Sequence, residues 1–404
     1  MPQTVPVRLA TNPSIEYQPG VVLVKLKPGV TVQMAPGTAR LTSSAPSLAN
    51  SLRAAGAVDA RALFPPQTGA APGNGASTGG LARIQRLTLA PGADVPAAVA
   101  QLAGDPAVEY AEPDYIARAA VMPDDPLFAQ QWWATPTHLP LAWDAATGAL
   151  TVTIAIVDSG IDLDHPDLLD RLWINPGEIA GNGVDDDNNG VVDDVNGWDF
   201  IYASNNLQDE NGHGTEVAGV AAATGANGQG IAGVCWGCRI MPVRVMQTSG
   251  IVNYSDLARG ITYAAAKGAH VINLSVGGYA NSRTLHTVIQ NAAQTAVIIA
   301  GAGNDGVATP FYPAAYPEVL AVGAIDESGQ RAAFSNFGPW VDLAAPGANM
   351  LTTFDGGSWG AAAGTSVAAP VVSGVAGLVK TLHPDWTAQQ IAAHLRQTAA
   401  AYVT

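Results

Sequence analysis

Five short strand-like runs recur from residue 152 onward, at 152–157, 239–245, 270–275, 296–300 and 318–323, the first and fourth of them almost wholly apolar. Segments of helical character lie between and after them, at 213–224, 255–267, 282–294, 366–382 and 387–399. A strand that is apolar at every position has to be covered on both faces. Such strands alternating with helices specify an α/β fold, a parallel sheet with helices on both sides. The run 367–382 reads as a buried helix, and Thr387 with Gln390 forms a capping box for the last one. No stretch reaches 18 uninterrupted apolar residues, so neither a membrane-spanning helix nor a membrane partner is expected.

The first part of the chain has a different texture. Residues 1–14 read as a flexible tail. A strand is expected at 20–27, a helix at 47–55, a Gly/Ala/Pro/Ser loop at 65–80, and a strand at 81–89. A helix capped by Asp94 follows at 95–102, then a strand at 107–115. The order β-α-β-α-β fits a small α+β domain at 15–118, joined by a linker at about 117–124 to an α/β domain at 119–404.

The net charge of −15 argues against nucleic acid as a partner, because a phosphate backbone attracts basic surfaces. Cys235 and Cys238, the two cysteines, form one C-x-x-C that precedes a strand. A zinc site needs a second pair and a redox motif needs a helix N-terminus. A local disulfide or two buried thiols are expected.

Three segments carry chemistry. Asp158 follows the first strand directly, before Gly160, and open α/β sheets place their sites at the carboxyl ends of strands. His213, flanked by Gly212 and Gly214, opens a small-residue helix. In Gly364-Thr365-Ser366-Val367-Ala368-Ala369-Pro370, Ser366 is delivered to the N-terminus of the long buried helix, where free N–H groups favour negative charge. Taken singly, these are a strand-end turn, a capping histidine and a helix cap. Together they supply a base, its orienting carboxylate and a nucleophile.

On these motifs the chain resembles the subtilisin-like serine proteases, from about Asp124 to its end. The resemblance implies a subtilisin-like parallel sheet preceded by a ferredoxin-like propeptide domain. It implies a secreted serine endopeptidase acting on protein and peptide substrates. Asp158, His213 and Ser366 would form the catalytic set, and Asn304 in Ala300-Gly301-Ala302-Gly303-Asn304 the oxyanion donor. Ser275, Val276 and Gly277 look like the strand that pairs with substrate, with the primary pocket between them and Ala302-Gly303. The small residues there leave room for an apolar side chain. The N-terminal domain is similar to the family's propeptide, which assists folding and blocks the cleft as an intramolecular inhibitor. Its tail, 115–120, would lie along 275–277, and the processing bond is placed between Ala120 and Val121. Residues 1–13 lack the apolar core of a signal peptide, so removal of the export signal is expected. Family members usually continue beyond the last helix. A monomer is expected. Two positions depart from many relatives: Glu216 stands where they carry histidine, and Val367 where they carry methionine. The first is expected to shift the pH profile and the second to slow inactivation by peroxide.

Residues 182–200 carry a dense run of carboxylates that need a counterion or full solvation. Asp185, Asp187, Asn189 and Gly190 copy the first half of a calcium loop, with Val191 for a carbonyl and Asp193 or Asp194 for a later oxygen. The terminal glutamate of an EF-hand is absent, since Asn196 stands there. Structural Ca²⁺ is the expected cofactor, and the alternative is a solvated acidic turn. Asp167 with Asn227 is a weaker second site implied by the resemblance. Two other functions fit these residues less well. An inactive scaffold that binds peptides would not need all of Asp158, His213, Asn304 and Ser366. A metallohydrolase built on His213-Gly214-Thr215-Glu216 lacks the second histidine of a zincin helix.

Overall fold

The computed structural model describes residues 17–34, 40–64, 80–116 and 121–400. The expected tail 1–14, most of the loop 65–80 and residues 117–120, with one side of the expected processing bond, lie outside them. The described residues divide into two compact units, 17–116 and 121–400.

In the first unit the elements run β1 (Tyr17–Leu26), β2 (Val32–Met34), β3 (Leu41–Ser43), α1 (Pro46–Ala54), β4 (Ala57–Ala62), β5 (Ile84–Leu89), α2 (Val95–Ala103) and β6 (Val108–Tyr115). The sheet has the order β4-β5-β1-β6 and is antiparallel throughout. Without the β2–β3 hairpin this is the ferredoxin-like βαββαβ arrangement. The sequence reading missed β4, whose residues alternate only weakly and are half-buried or exposed. Val22, Val24 and Leu26 of β1 meet Leu48 and Leu52 of α1 and Leu102 of α2 in one core. Asp94 caps α2 through the Ala97 N–H, as expected.

The second unit runs α3 (Leu139–Trp143), β7 (Thr153–Asp158), β8 (Trp198–Asp199), α4 (His213–Ala222), β9 (Arg239–Arg244), α5 (Tyr254–Ala266), β10 (Val271–Leu274), α6 (Arg283–Ala292), β11 (Val297–Gly301), β12 (Val319–Ile325), β13 (Leu343–Pro346), β14 (Met350–Phe354), β15 (Ser358–Ala362), α7 (Thr365–Leu382) and α8 (Ala388–Thr398). Seven strands form a parallel sheet in the order β13-β12-β11-β10-β7-β9-β8. Each face has its own core. α4, α7 and α8 cover one through Val217, Val371 and Ile391; α5 and α6 cover the other through Leu257, Ile261 and Leu285.

By length and composition α7 is apolar enough to cross a bilayer, yet 67% of it is buried inside the protein. It lies against β10 to β13 and α4 as the central core helix. Ser373 Oγ donates to Asn273 Oδ1 on β10 at 2.8 Å, which fixes the helix along the sheet. Cys235 and Cys238 are joined in a disulfide, fully buried against Gly377 of the same helix.

Candidate active site

The sheet and two helices bring three distant segments together at the carboxyl end of β7. Asp158 is the last residue of that strand and is fully buried. His213 is the first residue of α4, and its Nδ1–H donates to Asp158 Oδ1 at 2.7 Å. Asp158 Oδ1 also accepts the Ser159 N–H at 2.8 Å. Gly214 explains why α4 can start so close. A side chain there would collide with the Gly160 carbonyl, and the Gly214 N–H donates to Ser159 Oγ at 2.8 Å.

The start of α4 is held by a residue that the sequence reading passed over. Asp209 accepts from the Asn211 and Gly212 N–H groups through Oδ1, and from the Thr215 N–H and hydroxyl through Oδ2. The Gly212 and Thr215 N–H groups are among the orphan donors of the helix N-terminus, and a carboxylate there suits the dipole. The clue in the sequence was an Asp four residues before a histidine followed by Gly-Thr.

Burial pushes the His213 imidazole down, but the charge and hydrogen bond of Asp158 outweigh it. Glu216 and Asp209 add to the pull, and the group is pushed up to about 9. Glu216, three residues on, is itself raised, first by burial and then by neighbouring carboxylates.

Ser366 is the second residue of α7 and is largely buried. Gly364 precedes the helix with φ +153°. A methyl group placed on its α-carbon would lie 2.7 Å from Ser366 Oγ, 3.3 Å from Asn304 Nδ2 and 3.5 Å from the Ser366 nitrogen. The small space over Gly364 is therefore bounded by one hydroxyl and two N–H donors. Asn304 is oriented for this: its Oδ1 accepts the Thr365 N–H at 2.8 Å and the Thr365 hydroxyl at 3.0 Å, which turns its NH₂ toward that space. Among the described residues no hydrogen bond joins His213 to Ser366, and catalytic hydrogen bonds are often loose in free enzymes.

The ladder of β10 ends at Leu274, and pairing resumes only at the Gly278–Tyr312 bridge. Residues 275–277 between them border an opening of about 340 Å³ with Asn211, His213, Met246, Gly250 and Val252. Ser275 has a second task that the sequence did not announce. Its hydroxyl donates to the Ser366 carbonyl at 2.7 Å and anchors the first turn of α7. Ala302 and Gly303 are organised by Asn336, which donates from Nδ2 to the Ala302 carbonyl at 3.0 Å and from its N–H to the Gly303 carbonyl at 2.9 Å. The expected room between 275–277 and Ala302-Gly303 is not open, because the Phe311 ring packs against Gly277 and Gly303.

The acidic loop takes a form that differs from the expected ligand set. Asp185 accepts from the Asn189 and Gly190 N–H groups, as the first residue of a calcium loop does. Asp193 is turned to the Asn182 and Gly183 N–H groups, and Val191 packs on the core. The carboxylates that converge are Glu178, Asp187 and Asp194, with ligand atoms within 4.8 Å of one another. Glu178 was missed because it lies outside the run of Asp residues. The Lys267 ammonium is bound to Asp187 and lies 3.2 Å from Asp194. Tyr263 donates to Asp194 at 2.5 Å, and Asn175 and Asn189 donate to it at 3.0 and 3.1 Å. Among the described residues, one buried oxygen of this cluster, Asp187 Oδ1, has no partner. At the second expected site, Asn227 Nδ2 donates to Asp167 Oδ1 at 3.1 Å, and Trp359 and Ile231 satisfy Oδ2.

Residues 150–404 match the subtilase family model, and residues 81–114 match that of the fervidolysin N-terminal prodomain. The chain is 40% identical over 288 residues to a thermophilic serine proteinase of a Bacillus species, covering 71% of this chain and 66% of that protein, just under two thirds of its length. It is 39% identical over 259 residues to thermitase of Thermoactinomyces vulgaris, covering 64% and 85%. Among solved structures, a protease from Pseudoalteromonas arctica superposes with a TM-score of 0.60 at 32% identity, over 70% of this chain and 94% of that one.

Proposed function

The chain belongs to the subtilase family of serine proteases, and on that premise we propose that it is a secreted, calcium-stabilised endopeptidase made as a zymogen. Ser366 attacks the carbonyl carbon of a peptide bond. His213 takes the hydroxyl proton and returns it to the leaving amine. Asp158 fixes the imidazole tautomer and stabilises the imidazolium, a division of labour for which this family is itself a standard case. The Asn304 amide and the Ser366 N–H hold the oxyanion. The observation that carries this reading is the space over Gly364, which Ser366 Oγ and two N–H donors border within 3.5 Å. Substrate runs extended along 275–277, where the backbone has no paired strand among the described residues.

Residues 15–118 act as the propeptide and 119–404 as the catalytic domain. Calcium would be held by Glu178, Asp187 and Asp194, and the unpartnered Asp187 Oδ1 leaves a ligand free for it. It would cross-link the acidic loop and take no part in the chemistry.

The test is intact mass spectrometry over time, with calcium, beside a Ser366→Ala variant. Loss of about 120 N-terminal residues by the wild type alone supports both the nucleophile and the propeptide. If both chains stay whole, and a fluorophosphonate leaves Ser366 unlabelled after the N-terminal domain is trimmed off, a peptide-binding scaffold replaces the protease.

A further inference from the structure

The slot nearest the nucleophile runs between two backbone segments, 275–277 after β10 and 302–304 after β11. A methyl group built on Gly277 would lie 2.5 Å from Phe311 Cε1 and 3.1 Å from Cδ1. One built on Gly303 would lie 3.0 Å from Phe311 Cγ and 3.1 Å from Cδ2. A single ring thus lies against both glycine α-carbons and bridges the two walls, beside the still nearer Tyr312 carbonyl at Gly277 and Asn336 Nδ2 at Gly303. The ring is held in place. Tyr279 packs against it edge-on, with centroids 5.2 Å apart and planes at 79°. The Tyr279 hydroxyl donates to Asp305 Oδ2 at 2.5 Å and accepts from Asn336 Nδ2 at 3.2 Å. Next to the ring, Gly278 and Tyr312 exchange two backbone hydrogen bonds, at 2.8 and 2.7 Å.

We propose that Phe311 is a specificity-determining residue that closes this slot, so that the enzyme selects glycine, alanine or serine on the acyl side of the scissile bond and rejects leucine and phenylalanine. The inference rests on the protease reading above. A large side chain has to displace a ring that is packed on its far side, and close-packed interiors resist this. Discrimination by pocket volume of about 10- to 200-fold is the ordinary range.

The experiment uses the processed enzyme and three peptides that differ only in the acyl-side residue, Ala, Leu or Phe. The expected kcat/KM order is Ala above Leu above Phe, with Ala at least about tenfold over Phe. Phe311→Ala should raise the Phe-to-Ala ratio by a similar factor. Phe311→Leu, which keeps more of the packing, should raise it less, and serves if the alanine variant does not fold. A wild type that cleaves after Phe as fast as after Ala overturns the proposal, as does a ratio unmoved in both variants. Titration with a fluorophosphonate separates the two readings. No labelled sites means the protease reading has failed, while full labelling with a preference for Phe defeats only the role of Phe311.

Discussion

Lys267→Met tests how the acidic loop is neutralised. The ammonium is bound to Asp187 and lies 3.2 Å from Asp194, whose side chain is fully buried; the lysine itself is 10% exposed. Removing one member of a buried ion pair costs about 3–5 kcal/mol, because the partner stays buried and charged. Here Tyr263, Asn175 and Asn189 still donate to Asp194, and Asp187 is 21% exposed. The lower end, about 3 kcal/mol, is the better expectation. At roughly 2–4 °C per kcal/mol, that is a fall of about 6–12 °C in unfolding midpoint. The assay is thermal unfolding in a Ser366→Ala background, which prevents self-digestion, in chelator and then in millimolar calcium. In chelator the variant should lose the full amount. Calcium should restore part of it, since an ion at Glu178, Asp187 and Asp194 supplies positive charge that the ammonium no longer does. The pH dependence follows with its sign. Burial pushes the Asp187 carboxyl up, but hydrogen bonds from Lys267 and Asn175 and the ammonium charge hold it below its ordinary value. A depressed carboxyl contributes stability above its unfolded pKa, near 3.9, and that stability is lost as the pH falls through the lower folded value. Without the ammonium the carboxyl is depressed less, so the variant should lose less stability than the wild type as the pH falls below about 3.9. A variant that melts with the wild type in chelator would show that Lys267 does not neutralise this site.

Two further substitutions address the catalytic groups. Asn304→Asp keeps the acceptor that holds Thr365 and removes the oxyanion donor, so kcat should fall about 10²–10³-fold, a range measured in this family, while the melting temperature moves little. A fall of less than about tenfold would remove Asn304 from the oxyanion site. Glu216→Gln takes a negative charge from beside His213, whose imidazole is pushed up to about 9. The neutral imidazole is the base, so the acid limb of kcat/KM should lie above the ordinary histidine range and shift to lower pH in the variant. The His213–Asp158 pair, raised in the folded state, stabilises fully below about 6.5 and loses that contribution as the pH rises through about 9. Superimposable pH profiles for wild type and variant would show that Glu216 does not set the imidazole.

The parts legible in the sequence were those whose physics is local. β7, β11 and β12 announce themselves as nearly continuous apolar runs because both faces are covered. Asp158, His213 and Ser366 sit at strand and helix ends that the same pattern locates. β13 to β15 were missed because Leu343–Pro346, Met350–Phe354 and Ser358–Ala362 are only four or five residues long and none is buried throughout. Glu178 and Lys267 join the acidic loop only through the fold. The glycines show most clearly where local reading stops. A glycine signals that something comes close, but not what. At Gly214 the neighbour is the Gly160 carbonyl, and at Gly364 it is Ser366 Oγ with two N–H donors. Gly277 and Gly303 share Phe311, a ring more than thirty residues from the first of them and eight from the second, beside the Tyr312 carbonyl at one and Asn336 Nδ2 at the other. Small residues at 302–303 were read as room for a substrate side chain. Interiors are packed to crystal density, so space vacated by a missing Cβ is normally taken by another part of the protein. It stays available to a ligand only where the neighbours are polar groups with unused hydrogen-bonding capacity, as they are over Gly364. By that criterion the two gaps differ in kind: the one over Gly364 is bordered by groups that still need a partner, and the one between Gly277 and Gly303 is filled by the Phe311 ring together with the Tyr312 carbonyl and Asn336 Nδ2, which are already hydrogen-bonded within the protein.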